Sequence, residues 1–237
     1  MARPGGHGGR SEPSGGDGLP GPRFAARHGL SLFAEPSAYA VPRHRHPVWK
    51  VVLPLSGGVR VDGGAGAGVL VPPQHAHTCA TSAGFVAVFV DPWCVRADPS
   101  GPTWLDERAV ARLLAAWRED ASALGHELAG VAGEPTAVDP RVAHAVRASA
   151  LAERLDGVAA DVGLSPGRLR TLVRTEVGVP LAVMRRWQRL RTAVGALLTD
   201  GSAIADAALG AGFADQAHLT RTVRALAGRT PASLLRR

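Results

Sequence analysis

The chain has 237 residues, 46% of them hydrophobic, enough for two domains each with its own core. Two cysteines, Cys79 and Cys94, exclude a disulfide framework, and no apolar run approaches the roughly 18 residues of a membrane span. The expectation is therefore a cytoplasmic protein with no membrane partner. The net charge of +7 is all in one half: Thr136–Arg237 holds 15 Arg against 8 acidic residues, while 12 cations and 12 acids cancel before it. A basic half beside a neutral one is the electrostatic footprint of a nucleic-acid reader joined to a second domain.

In chain order, Met1–Pro22 is rich in Gly, Pro and Ser and is expected to form a leader, to residue 23, that cannot order itself. Phe24 to Pro92 reads as short strands, with β-rich runs at Trp49–Leu53, Gly58–Val61, Gly68–Val71 and Phe85–Val90. Strands so spaced, without intervening helices, suggest a small barrel or sandwich. From Pro102 to Ala132 the pattern becomes helical, with Val110, Leu113, Leu114, Trp117, Ala121, Leu124 and Leu128 on one stripe. That stripe either packs on its own barrel or pairs two copies. Its near-heptad spacing favours pairing, and Gly125 weakens that case. The first domain is thus expected over 24–132, with a linker at 133–138 and a second domain over 139–237.

Asp139-Pro140 starts a helix expected to run through Val142, Val146 and Leu151. Next come a short helix at Leu155–Val162, a turn at Gly163-Leu164-Ser165 and a second helix at Pro166–Glu176, which leaves Arg168, Arg170, Thr171 and Arg174 outside. Pro180–Leu198 reads as a long helix with Trp187 in its apolar stripe and Arg185, Arg186 and Arg189 largely off it. Its nineteen residues span about 28 Å, comparable with the roughly 34 Å between successive major-groove faces of B-DNA. After it, Ile204–Leu209, a turn at Gly212-Phe213-Ala214 and a helix starting at Asp215 repeat the helix-turn-helix pattern. The outer face of that last helix carries Gln216, His218, Thr220, Arg221 and Arg224, side chains able to bond to bases or phosphates.

The string Ile204–Leu209, Gly212-Phe213, Asp215–Ala227 and Gly228-Arg229-Thr230-Pro231 resembles the C-terminal signature of the AraC/XylS family of transcription regulators. The module at Leu155–Glu176 resembles the first of the two helix-turn-helix units in such domains. In the first half, His44-Arg45-His46 and Gly68–His77 resemble the two motifs of a cupin-like sensor barrel. The resemblance implies an α+β protein of two domains. A cupin-like β-barrel with trailing helices precedes an all-α domain holding both helix-turn-helix modules.

The function so implied is sequence-specific DNA binding to double-stranded promoter DNA, with a small-molecule effector, a homodimer, and RNA polymerase as a further partner; it is not an enzyme. The candidate DNA contacts are Arg168, Arg170, Thr171, Arg174, Gln216, His218, Thr220, Arg221 and Arg224. Gly167 and Ala217 stand where the family often places a base-reading side chain, so part of the readout is expected through DNA shape. His44, His46, Lys50 and His77 are the candidate effector-binding residues. Metal-binding cupins would hold an ion at His44, His46 and His77, but Lys50 stands where they place a Glu. A cation there opposes a divalent metal, so no metal or other cofactor is expected. The alternatives left open are a metal-binding cupin, sensor or enzyme, fused to a DNA-binding domain, and a barrel whose histidines merely line its mouth.

Overall fold

The structure is a computed structural model that describes residues 23–27, 29–152 and 154–235; residues 1–22 of the expected leader lie outside it. Ten strands come first. They are β1 (Arg23–Arg27), β2 (Leu30–Glu35), β3 (Ala40–His44), β4 (Trp49–Pro54), β5 (Val59–Val61), β6 (Gly64–Gly66), β7 (Gly68–Val71), β8 (His77–Thr81), β9 (Phe85–Val90) and β10 (Thr103–Leu105). They form two antiparallel sheets, β1-β2-β9-β4-β7-β10 and β3-β8-β5-β6, facing one another as an open barrel rather than a closed one.

Strand alternation decides what each face holds. Along β4, Lys50 and Val52 point between the sheets, while Trp49, Val51 and Leu53 point outward. All six β4 residues are nonetheless buried, because both faces of the larger sheet are covered. The outer cover is a helical hairpin, α1 (Glu107–Glu119) and α2 (Ala121–Ala132), instead of one helix. Asp120 divides them: its carboxylate accepts from the Ser122 and Ala123 amides at 2.7 and 2.8 Å and so caps a new helix. Leu113, Leu124 and Leu128 pack on the outward residues of β4, β7 and β9. The apolar stripe read as a pairing surface is spent within its own chain.

The second half is helical: α3 (Pro140–Ala148), α4 (Leu155–Asp161), α5 (Pro166–Val177), α6 (Leu181–Leu198), α7 (Ile204–Gly210), α8 (Gln216–Ala227) and α9 (Pro231–Leu234). The first of these ends earlier than expected. The Ser149 hydroxyl donates to the Val146 carbonyl at 2.8 Å, and Leu151 lies beyond the helix at 81% exposure.

The expectation of one core per domain fails in an informative way. The residues between the two sheets (Val52, Val61, Val71, Phe85) and those of the helical half (Leu169, Met184, Trp187, Leu219) form one continuous apolar cluster. The helical half closes the open side of the barrel, with α6 against β1 and α8 against β3.

Candidate nucleic-acid interface and sensor pocket

Both helix-turn-helix modules are built alike. In the first turn the Gly163 and Leu164 amides donate to the Ala160 and Ala159 carbonyls, both at 2.9 Å. In the second, the Gly212 and Phe213 amides donate to Leu209 and Ala208, again at 2.9 Å. Gly163 and Gly212 sit at φ +67° and +77°, left-handed backbone that glycine adopts without strain, so each turn satisfies the last carbonyls of the helix before it. Ser165 then caps α5 and Asp215 caps α8 through the Arg168 and His218 amides. Leu169 and Val173, and likewise Leu219 and Val223, are buried.

The outward faces differ in detail. Arg168, Arg170, Thr171 and Arg174 are all exposed on α5, although Thr171 donates back to the Gly167 carbonyl at 3.2 Å. On α8, Gln216, Arg221 and Arg224 are exposed, while His218 and Thr220 are half-buried. His218 packs edge-on against Phe213, with centroids 5.2 Å apart, and is partly used inside the module.

Between the modules, α6 has 18 residues and spans about 27 Å. Two of its arginines serve the scaffold. Arg189 donates to the Ala150 and Gly212 carbonyls at 3.0 and 2.6 Å, and Arg185 donates to the Ala152 carbonyl. They brace α6 against both the α3–α4 connection and the second turn. Arg186, with Arg45, Gln74, His218 and Arg221, lines a polar groove where the barrel meets α8.

The four residues expected to bind an effector do come together. His44, His46, Lys50 and His77 are all buried, and Pro47 does not disturb their convergence. The His44 and His77 rings lie 4.3 Å apart, and the His46 and His77 rings 5.1 Å apart. Lys50 Nζ is 3.5 Å from His44 Nε2 and 5.9 Å from the centre of the Phe89 ring. Burial first, then the Lys50 charge, pushes His44 down to about 3 and His77 down to about 4; the same causes hold His46 well below its ordinary value. Burial also lowers Lys50. His75, a candidate substitute ligand, turns instead toward Asp62, with 3.6 Å between Nε2 and the carboxylate. Cys79, the other candidate, belongs to the core.

Lys50 also lines a second space. An apolar cavity of about 70 Å³ lies between the sheets and the helical half, walled by residues that include Phe24, Phe33, Phe89, Trp187, Lys50 and Arg229. One water needs roughly 10–15 Å³ of such space, so the cavity as it stands admits only a few. Anything larger enters only if the two halves part.

Sequence reading missed the residues that join those halves. Arg229, taken there as part of a helix stop, is 6% exposed and lies 2.8 Å from the Glu35 carboxylate on β2. The guanidinium is not aligned for a hydrogen bond there, so the contact is ionic. It also stacks 3.7 Å from the Tyr39 ring centre. Arg191 on α6 donates to the Leu30 carbonyl at 3.0 Å and sits 3.8 Å from Asp91. The Arg45 amide donates to the Ala225 carbonyl of α8 at 3.4 Å. Gly228, which ends α8 at φ +64°, is pressed so closely to β3 that a Cβ would meet Val41 at 2.3 Å.

Residues 158–237 match a family model described as a helix-turn-helix domain. Among solved structures, an apo single-substitution variant of ToxT from Vibrio cholerae strain SCE256 is similar at 11% identity. The match covers 87% of this chain and 97% of that one, with a TM-score of 0.56. Unsaturated-fatty-acid-bound wild-type ToxT from that strain is 10% identical over 86% of this chain and 93% of its own, at TM-score 0.55. ToxT from Vibrio cholerae O395 bound to (E)-4-(8-methylnaphthalen-1-yl)but-3-enoic acid is 9% identical over 86% and 96%, at 0.54. Identities this low show a shared fold. No curated protein matches the chain.

Proposed function

The chain is a DNA-binding regulator of the AraC type, with its helix-turn-helix domain at residues 158–237, and from that premise we propose how it works. Residues 24–132 are a sensor, joined through 133–138 to a reader at 139–237. Helices α5 and α8 enter adjacent major grooves on one side of promoter DNA, held apart by α6. Arg170 and Arg221 read bases or hold phosphates. Arg168, Arg174 and Arg224, together with the helix N-termini, supply phosphate contacts. Gln216 pairs with adenine and Thr220 packs on a thymine methyl. The setting is the cytoplasm, RNA polymerase is a further partner, and any homodimer would use a face other than the stripe of α1 and α2.

The effector is an amphipathic carboxylate that enters the cavity between sensor and reader. One observation carries this reading: Lys50 of the barrel and Arg229 of the reader line the same apolar cavity. The ligands in the ToxT structures, an unsaturated fatty acid and an aryl butenoic acid, belong to the same chemical class. Because the cavity must widen to admit such a molecule, binding favours a conformation with the halves further apart, and α8 moves with Arg229.

The test is a thermal-shift screen of carboxylic acids on the full chain, followed by DNA titration with and without the best binder. A binder at 100 times its Kd adds about 2.7 kcal/mol of stability. Lys50→Glu should lose that shift while still binding DNA. A variant that keeps the shift removes Lys50 from the effector site.

A further inference from the structure

The histidine cluster has a property that anion binding does not use. His44 Nδ1 lies 2.9 Å from the Pro42 carbonyl, His46 Nδ1 lies 2.7 Å from the Val48 carbonyl, and His77 Nδ1 lies 3.0 Å from the His75 carbonyl. A carbonyl oxygen only accepts, so in each ring Nδ1 must carry the proton and Nε2 the lone pair. The tautomers are therefore fixed by backbone, three times over. His46 Nε2 and His77 Nε2 are buried and have no hydrogen-bond partner among the described residues. The third, His44 Nε2, has only the long 3.5 Å contact from Lys50.

One nitrogen from each ring lies within 4.8 Å of the others. Three acceptors aimed into one buried space form a seat for a cation, and a buried acceptor left unpaired costs about 1–3 kcal/mol. A ring whose other N–H is held by a carbonyl is the usual second shell of a metal-binding histidine.

We propose that His44, His46 and His77 form a three-histidine site for a divalent first-row transition ion, and that the Lys50 ammonium is the ion's built-in competitor. Imidazole sets of this kind suit zinc, copper, nickel or iron rather than magnesium or calcium. Among the described residues no carboxylate is paired with Lys50, so its charge meets the three lone pairs unneutralised. An ion entering the site repels that charge, and the freed ammonium turns toward the cavity it already lines. The site also touches the reader: a Cβ on Gly228 would lie 3.2 Å from His44 Nδ1. Metal loading is thus placed at the end of α8. The site itself stands independently of the DNA-binding reading.

The test is titration of the metal-stripped full chain with Co²⁺, followed by visible absorption, with Zn²⁺ as competitor. The expected result is a ligand-field band that saturates at one equivalent and is displaced by Zn²⁺. His46→Gln and His77→Gln should each abolish the band. Lys50→Met leaves all three ligands in place and should tighten Co²⁺ binding about tenfold or more, since like charges at close range repel by several kcal/mol. No saturable band up to millimolar Co²⁺ overturns the site, as does an unchanged band in both histidine variants. Equal affinity in Lys50→Met overturns the competition. A chain that takes up Co²⁺ yet binds no DNA keeps this site and loses only the regulatory reading.

Discussion

The two helix-turn-helix modules share a turn, a cap and a buried stripe, yet they sit in different company. The first packs on α3 and α6 within its own half. The second is held by the barrel at three points: α8 lies on β3, the Arg45 amide bonds to Ala225, and Arg229 reaches Glu35. Two readers of the same construction thus differ in how far they are free to move. The difference teaches where a signal can enter. A change in the sensor reaches α8 directly and α5 only through the α6 strut.

The largest effect that would break this asymmetry is loss of the buried ion pair. Arg229→Ala leaves Glu35 buried without its partner, and breaking such a pair typically costs about 3–5 kcal/mol. Chemical denaturation should show that loss. Replacing both partners by apolar residues of similar size should restore most of it, whereas a small effect of Arg229→Ala alone would mean the contact is not a clamp.

A second tie responds to pH. Burial pushes the Asp91 carboxyl up to about 6, against the pull of Arg191 and Arg147. The unfolded chain titrates this group near 3.9, so between those values the folded chain holds more protons than the unfolded one. The Asp91 contribution to stability therefore falls as pH rises from about 4 through about 6, by about 3 kcal/mol at most, and is recovered on return toward pH 4. The buried histidines slope the opposite way over part of that range, so the check is the difference between wild type and Asp91→Asn. That difference should change with pH up to about 6 and then level off above 7.

Arg221→Ala should cost about 1–3 kcal/mol of DNA affinity, and Arg170→Ala a similar amount. What sharpens the comparison is how each changes with ligand. The Arg221 penalty should vary when the effector is present, since α8 moves with the sensor, and the Arg170 penalty should stay constant. The smallest effect is expected at Gly228, where Gly228→Ala puts a side chain on left-handed backbone at about 1–2 kcal/mol and pushes against Val41. DNA binding should then lose its response to ligand before it loses strength.

Much of this arrangement was legible in the sequence because the signals were local. Glycine before a capped helix, with Leu169 and Leu219 at helical spacing, fixes both modules. The shared parity of residues 44, 46 and 50 brings the pocket together before any coordinates. What stayed hidden depends on how the halves dock. Glu35, Asp91, Arg191 and Arg229 carry no periodicity, and only a partner from the other half gives each of them a role. Arg185 and Arg189 lie off the apolar stripe, but long side chains reach back to carbonyls that the spacing does not reveal. Strand β6, Gly-Ala-Gly, lacks β-branched residues and exists because its neighbours pair with it. Asp120 divided a helix that the stripe alone ran together.

The central claim is that one chain carries two readers set about one turn of DNA apart. Selection of bound sites from random duplexes with the full chain tests it most directly. The account predicts two preferred blocks of sequence with centres about 10–10.5 base pairs apart. A single block, or equal retention of every duplex at moderate salt, would contradict it.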